Sequence, residues 1–180
     1  MGLLGLIFGG PLGSLLEDAG ISTPKGAVQN LAESIIDNVI RDKISSPVIG
    51  SVVYCDLLNG YAEHSGIYIG NNSIIHLDGS GKIEIVSPDK FLNRLGGFNS
   101  AISIYVSCKN GLPVGSKEAA KRAKEASGNS RNYNFLLNNC HQFTAGCLSG
   151  DFENSCNFLT FLKNEAAKKI GSNEWRVWDR

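Results

Sequence analysis

Short runs of alternating hydrophobic and polar residues fill the middle of the chain, between residues 49 and 108. They are rich in valine and isoleucine and are separated by Gly, Asn, Asp and Pro, a pattern typical of an antiparallel meander. A turn or short helical segment is expected at Ser87-Pro88-Asp89, before the last strand. The pattern predicts five strands, Ser51–Leu57, Glu63–Ile69, Ser73–Leu77, Lys82–Val86 and Ala101–Ser107.

Apolar residues recur at helical spacing on both sides of the meander. One helix is predicted over residues 28–40, and another runs from a Ser116 cap to Ala126. A last helix is predicted over Asn157–Ile170. Its inward-facing side chains are expected to be Phe158, Phe161, Leu162 and Ala166.

A further helix is predicted over Cys140–Leu148. Asn138 and Asn139 are good N-cap candidates, because an asparagine side chain accepts hydrogen bonds from the first amide groups of a helix. Gly150 supplies the left-handed residue with which many helices end. The expected fold class is therefore α+β, with an antiparallel sheet packed against the helix that begins at Cys140.

The 180 residues are expected to form one domain over 49–180, preceded by an apolar segment and helix over 1–48. Residues 1–16 carry no charged side chain, and they lack the basic start and cleavage site of a signal peptide. They are also too short and too interrupted by Gly and Pro to span a membrane. The segment is expected to pack on the domain or to contact a membrane surface, so we expect a cytoplasmic or peripheral membrane protein.

Charge and cysteine content exclude some classes of protein. Seventeen basic and seventeen acidic residues cancel, so no long-range field favours binding to nucleic acid. The five cysteines contain no CxxC pair, which argues against both a disulfide framework and a structural zinc site. A reducing compartment fits this content best.

Two histidines lie twelve residues apart on the predicted hairpin, at His64 and His76. With a three-residue loop over residues 70–72, Ile69 faces Ser73 and Gly66 faces His76, so the two histidines share one face of the sheet. Gly66 then leaves room for the imidazole opposite it. A two-residue loop would shift the register by one and send the histidines to opposite faces.

Cys140, His64 and His76 together have the composition of a thiolate nucleophile, its base and an orienting group. A thiol at a helix N-terminus is acidified by the unpaired amide groups and by a neighbouring imidazolium. His64 would accept the thiol proton, and His76 would hold the His64 ring. The neighbourhood of the substrate and of its oxyanion is expected to comprise Asn139, His141, Gln142 and Tyr68.

The other interpretations of these three residues are a zinc site and a purely structural role. No cofactor or metal is expected. Asp78-Gly79-Ser80-Gly81-Lys82 resembles a phosphate loop, but Ile83 stands where Ser or Thr is needed. There is no GxSxG nucleophile elbow, and no paired carboxylates suggest a glycosidase.

Three segments together resemble the lecithin:retinol acyltransferase family, a member of the circularly permuted, papain-like NlpC superfamily. They are His64-Ser65-Gly66-Ile67-Tyr68-Ile69-Gly70, then Ile75-His76-Leu77, then Asn139-Cys140 followed by Phe143. The resemblance covers roughly residues 49–150. It implies a permuted papain-like fold and a thiol acyl-enzyme mechanism with Cys140 as nucleophile, His64 as base and His76 as third member.

The chain departs from the family pattern in two places. The family usually has an acidic residue directly after the cysteine and then a histidine, whereas His141 and Gln142 follow here. The family commonly has an aromatic residue directly after the first histidine, and this chain has Ser65 there. Both departures concern the walls of the expected site, so the substrate is not transferable from the family.

The expected function is thiol-dependent acyl hydrolysis or transfer without a metal. A lipid ester is the first choice of acyl donor, because residues 1–16 offer contact with a membrane surface. A cysteine peptidase or amidase acting on peptide or cell-wall links is the alternative. A different class is a binding module whose active site is spent, in which Cys140 would be no more reactive than Cys147.

Overall fold

A computed structural model of the protein describes residues 46–57, 62–93, 103–132, 134 and 139–180. The strands of this part are β1 (Val52–Leu57), β2 (Ala62–Gly70), β3 (Ser73–Leu77), β4 (Ile83–Val86), β5 (Ile104–Lys109), β6 (Leu112–Pro113) and β7 (Glu174–Val177). The helices are α1 (Pro88–Leu92), α2 (Lys117–Ala126), α3 (Cys140–Ser149) and α4 (Leu159–Ile170). The predicted α+β class is confirmed.

The strands of the described residues form one antiparallel sheet in the order β4-β3-β2-β1-β5-β6, and β7 also pairs with β5. The five predicted strands are present; β3 has the predicted bounds, and the ends of the others differ by at most three residues. Strands β6 and β7 were not predicted. Strand β7 is only four residues long, and its partner β5 lies about seventy positions earlier, so no local pattern marks the pairing.

The β2–β3 hairpin reaches the expected register by an unexpected route. Its loop has two residues, Asn71 and Asn72, both with positive φ (49° and 54°), and Gly70 pairs with Ser73. The predicted three-residue loop is therefore wrong. A β-bulge at Ile69 supplies the missing offset, because the extra residue on β2 restores the pairing that the shorter loop would have shifted.

The apolar side chains form two clusters, one on each face of the sheet, as the alternation of side chains along a strand requires. The first cluster joins Ile67 and Ile75 to the apolar sides of α2, α3 and α4. The second lies on the opposite face and joins Ile74 and Val86 to Phe91 of α1 and to Trp178. The sheet is thus covered on both faces, by three helices on one side and by a short helix and the C-terminal segment on the other.

Helix α4 differs from the prediction at its start. Leu159, Leu162 and Ala166 are buried as its inward face, whereas Phe158 and Phe161 are each 49% exposed. The prediction that these two phenylalanines point inward is wrong, because the helix begins two residues later and its buried stripe starts at Leu159.

Some expectations concern residues outside the described part. The helix over 28–40, the apolar segment over 1–16 and the N-cap candidate Asn138 belong to this group. In the part of the chain that the structure describes, no helix has the length and apolarity needed to cross a membrane.

Candidate active site

Helix α3 begins at Cys140 because Asn139 caps it. The Asn139 backbone is extended, and its side-chain oxygen accepts hydrogen bonds from the amides of His141 and Gln142 at 3.0 and 3.2 Å. Its side-chain nitrogen donates to the carbonyl of Asn157 at 2.7 Å, just before α4. The cap therefore fixes the first turn of α3 and joins it to the α4 segment.

The cap also bears on oxyanion binding. The amides of His141 and Gln142 already donate to Asn139, so an oxyanion at this helix end would compete with the cap for them. Unpaired amide groups were expected here from the sequence. The structure shows that the same asparagine that places Cys140 also engages two of those amides.

The thiol of Cys140 lies against strand β2. Its side chain is buried, and Sγ lies 3.9 Å from the carbonyl oxygen of Glu63, the residue before His64. Glu63 pairs with Asp56 of β1 and lies beyond the part of β2 that pairs with β3. The thiol thus meets β2 where the strand has no β3 partner, next to the backbone of His64.

The two predicted histidines are in direct contact. Nε2 of His64 lies 2.7 Å from Nδ1 of His76, and the ring planes are nearly perpendicular at 85°. Both side chains are buried, at 2% and 1% relative exposure. The predicted shared face is confirmed, and the short contact requires one N–H between the two rings.

Gly66 allows this approach. A Cβ added to Gly66 would lie 2.7 Å from the carbonyl oxygen of Ile75, 2.8 Å from Cγ2 of Ile74 and 3.2 Å from Cβ of His76. Distances this short would force the hairpin apart. Glycine at this position therefore lets β3 bring His76 close to the strand that carries His64.

The histidine pair packs against Phe91 of α1. The Phe91 ring centroid lies 5.0 Å from that of His64 and 5.7 Å from that of His76. Asp89, also in α1, pairs with Arg180 at 2.7 Å, which ties the short helix to the C-terminal segment. Phe91 was not predicted as a site residue, because only the tertiary packing of α1 brings it to the pair.

His64 and Ser65 point to opposite faces of the sheet, because they are neighbours in one strand. Ser65 Oγ lies 2.9 Å from Nδ1 of His141 and 3.1 Å from the Thr144 hydroxyl, which donates to the carbonyl of Cys140 at 2.8 Å. Ser65 and His141 are the two departures from the family pattern, and they are hydrogen-bond partners. Together they attach the first turn of α3 to β2.

His141 is neutral in this position. Burial lowers the pKa of its imidazole from the ordinary 6.5 to about 4. A neutral ring that bonds Ser65 contributes no positive charge to the Cys140 environment at neutral pH. The imidazolium that was expected beside the thiol is therefore not His141.

Gln142 and Tyr68 occupy different surroundings. The Gln142 side chain donates to the carbonyl of Asn154 at 2.7 Å, and Asn154 donates back to the Gln142 carbonyl at 3.1 Å. Tyr68 packs against Trp178, with ring centroids 5.3 Å apart. It lies four residues beyond His64, about 13 Å along the strand, so the structure does not bring it next to Cys140.

The remaining cysteines separate into two groups. Burial is the main cause that raises the pKa of Cys108 to about 11 and of Cys147 to about 12, and it also raises that of Cys156. These thiols are therefore protonated at neutral pH. Cys55 is different, since it lies directly opposite His64 in the β1–β2 register and is fully buried. A second sulfur near His64 was not expected from the sequence.

Among the described residues, no group of three or more histidine, cysteine, aspartate or glutamate side chains is arranged to hold a metal ion.

A family model for lecithin retinol acyltransferase matches residues 45–153, more than half of the 180 residues. Comparison with curated protein sequences finds no significant match. The matched range contains Cys140, His64 and His76, and also Asn139, which caps α3. The family is generally one of acyl-transferring enzymes. The chain belongs to the lecithin retinol acyltransferase family.

Proposed function

We propose that this protein is a thiol acyl hydrolase or acyltransferase with a permuted papain-like fold, in which Cys140 forms an acyl-enzyme, His64 is the base and His76 holds His64. The observation that carries the proposal is the buried 2.7 Å contact between the two imidazoles, next to the part of β2 that the Cys140 thiol contacts. Two buried rings sharing one proton form an orienting pair, as in other nucleophile–base–orienter sites.

The proposed reaction has two halves. His64 takes the proton of the Cys140 thiol, and the thiolate attacks the carbonyl carbon of the acyl donor. The tetrahedral intermediate collapses as the leaving alcohol or amine receives that proton from His64, and a thioester on Cys140 remains. Water or an acceptor hydroxyl or amine then gives its proton to His64, attacks the thioester and restores the thiol.

A lipid ester is the proposed acyl donor. Phe158 and Phe161 form an exposed aromatic pair with ring centroids 5.9 Å apart, at the start of α4. The residue before them, Asn157, accepts the hydrogen bond from Asn139 that anchors the α3 cap. Exposed aromatic rings this close in the chain to the nucleophile's helix would favour contact with acyl chains. The uncharged residues 1–16 would add a second apolar contact.

The test is a search for the acyl-enzyme. The full chain would be incubated separately with mixed phospholipid vesicles and with peptidoglycan fragments, and its mass would then be measured intact and after proteolysis. A fatty-acyl adduct on Cys140 is expected from the vesicles. An adduct from peptidoglycan fragments alone would favour the peptidase or amidase alternative.

Matched cysteine variants identify the sulfur. Cys140→Ala should lose the adduct and retain its melting temperature, because alanine is well tolerated in the first turn of a helix. Cys55→Ala and Cys147→Ala should retain the adduct. An adduct that survives in Cys140→Ala and disappears in Cys55→Ala would show that Cys55, and not Cys140, is the nucleophile. Equal alkylation rates of Cys140 and Cys147, with no adduct from either donor, would favour a spent binding module.

A further inference from the structure

A carboxylate lies beside the second ring nitrogen of His76. Glu84 of β4 is the direct cross-strand partner of His76 of β3. Its Oε1 lies 3.5 Å from Nε2 of His76, and its Oε2 lies 3.2 Å from Nζ of Lys90 in α1. The Glu84 side chain is 34% exposed, whereas that of His76 is 2% exposed. The carboxylate thus reaches from the surface to the buried ring.

The position of this carboxylate determines where the protons lie. A neutral imidazole carries one N–H, on either Nδ1 or Nε2. At 3.5 Å the Glu84 contact is within ion-pair range and beyond a normal hydrogen bond. An unprotonated Nε2 would direct its lone pair at the carboxylate, so the negative charge favours the tautomer of His76 that is protonated at Nε2.

The proton arrangement of His64 follows from that of His76. If His76 carries its proton on Nε2, its Nδ1 is an acceptor, and the 2.7 Å contact needs a donor from His64. Nε2 of His64 must then carry the N–H. The remaining lone pair of His64 is on Nδ1, so this nitrogen is the basic atom of the pair.

We propose that Glu84 is a positioning residue that sets the tautomers of both imidazoles and thereby makes Nδ1 of His64 the atom that accepts a proton. The catalytic meaning of this role rests on the proposed function, in which the proton comes from the Cys140 thiol. In that step the S–H bond breaks, an Nδ1–H bond forms, and the positive charge on His64 is stabilised through His76 by the carboxylate. The buried pair would otherwise have to hold that charge away from water.

Two other charged residues near His76, Asp78 and Lys90, have interactions of their own. Burial raises the pKa of the Asp78 carboxyl, but hydrogen bonds from the Ser80 side chain and from the Lys82 and Ser80 amides outweigh it, and His76 adds to the net lowering. Asp78 is thus ionised and engaged in its own turn. Lys90 bonds the far oxygen of Glu84, whereas the cross-strand pairing of β3 with β4 places the carboxylate beside His76.

The test reads the tautomers directly by nitrogen-15 NMR of the histidine side chains. The full chain contains three histidines, so His64→Gln, His76→Gln and His141→Asn assign the signals. In the wild-type protein at neutral pH, His64 and His76 should both be protonated at Nε2. Glu84→Leu should produce a mixture of tautomers at these two residues. Glu84→Gln should give an intermediate pattern, because its amide oxygen still presents an acceptor to Nε2 of His76 but carries no negative charge.

Lys90→Gln is the matched control, since it removes the Glu84–Lys90 ion pair and keeps the carboxylate. Its tautomers should match the wild type, which separates the effect of the carboxylate on His76 from any loosening of α1. In turnover, Glu84→Leu should lower kcat about tenfold with little change in KM. This is less than the hundredfold-or-greater loss typical of a missing base, because the carboxylate acts through His76.

The outcomes distinguish this inference from the proposed function. A wild-type His76 protonated at Nδ1, or tautomers unchanged in Glu84→Leu, would overturn the role of Glu84 even if Cys140→Ala abolished turnover. A tautomer change in Glu84→Leu would support that role. If Cys140→Ala nevertheless retained full turnover, the proposed nucleophile would be wrong while the proton arrangement stood.

Discussion

The two faces of strand β2 hold opposite kinds of chemistry one residue apart. On one face, Ser65 contacts a neutral, buried His141 and the Thr144 hydroxyl, and it anchors the first turn of α3. On the other, His64 contacts His76, whose second nitrogen faces a carboxylate. The first face thus anchors the helix that carries the thiol, while the second holds the imidazole pair to which we assign proton exchange.

The chemical difference between the two faces suggests why strand β2 can both anchor α3 and carry the histidine pair. A fixed helix needs bonds that do not change with protonation, and the Ser65 face supplies hydroxyl groups and an imidazole with a pKa of about 4. A base needs a ring that can gain and lose a proton near neutral pH, and such a ring requires a partner that tolerates the charge. We therefore expect changes on the Ser65 face to act on stability, and changes on the His64 face to act on turnover.

The largest expected effect comes from the His64 face. His64→Gln should lower turnover by a hundredfold or more, the range typical of a lost acid–base group. His76→Gln should cost less, because its amide can still accept from Nε2 of His64. Steady-state kinetics with melting curves for each variant would measure both losses. Equal losses for the two variants, or a larger loss for His76→Gln, would contradict the assignment of base and orienter.

The second prediction concerns the Ser65 face and pH. The unfolded chain protonates His141 near its ordinary pKa of 6.5, whereas the folded protein does so only near 4. Stability is therefore complete above pH 6.5 and falls as the pH drops towards 4, because the unfolded state binds the extra proton. At about 1.4 kcal/mol for each pK unit, the loss reaches on the order of 3 kcal/mol at pH 4.

Urea unfolding between pH 7 and pH 4 would measure this dependence. His141→Asn keeps a polar atom near Ser65 and removes the titrating ring, so its stability should depend less on pH than that of the wild type. The other titrating groups are common to both proteins and cancel in the difference. Parallel curves for the two proteins would show that His141 is not the group responsible.

The third prediction tests the close approach of the two strands. Gly66→Ala places a Cβ 2.7 Å from the Ile75 carbonyl oxygen, so the backbone must move. Overpacking of this kind typically costs about 1–3 kcal/mol, and it should also displace His76 and lower turnover. Gly79→Ala is the control, since nothing lies within 4 Å of its added Cβ. Similar unfolding curves for both variants would show that the hairpin is looser than the structure indicates.

The hairpin also shows what sequence reasoning could and could not predict. A three-residue loop was the basis for placing His64 and His76 on one face, and the placement is correct although that loop is wrong. A two-residue loop and a bulge at Ile69 give the same offset as a three-residue loop, and the sequence does not distinguish them. The shared face survived the wrong loop because the bulge compensates for the shorter turn and keeps the apolar side chains of both strands buried.

Contacts that depend on the pairing of strands could not be predicted from the sequence. Glu84 meets His76 through the β3–β4 register, and Cys55 lies opposite His64 through the β1–β2 register. Both registers depend on packing across the whole sheet, so neither residue stands out in a local pattern. The Asn139 cap was predictable because capping needs only neighbouring residues. The hydrogen bond between Ser65 and His141 could be identified only from the tertiary structure, although the sequence showed both residues as departures from the family pattern.

The smallest expected effect comes from the turn, which connects the strands and belongs to neither face. Asn72 has a φ of 54°, a left-handed conformation in which alanine is strained and glycine is not. Asn72→Ala should lower the unfolding free energy by about 1 kcal/mol, while Asn72→Gly should raise it by a few tenths, since Asn-Gly suits this kind of turn. Neither should change turnover, because the bulge and the alternation hold the register. A turnover loss in Asn72→Ala as large as that in Gly66→Ala would show instead that the turn fixes the register of the two histidines.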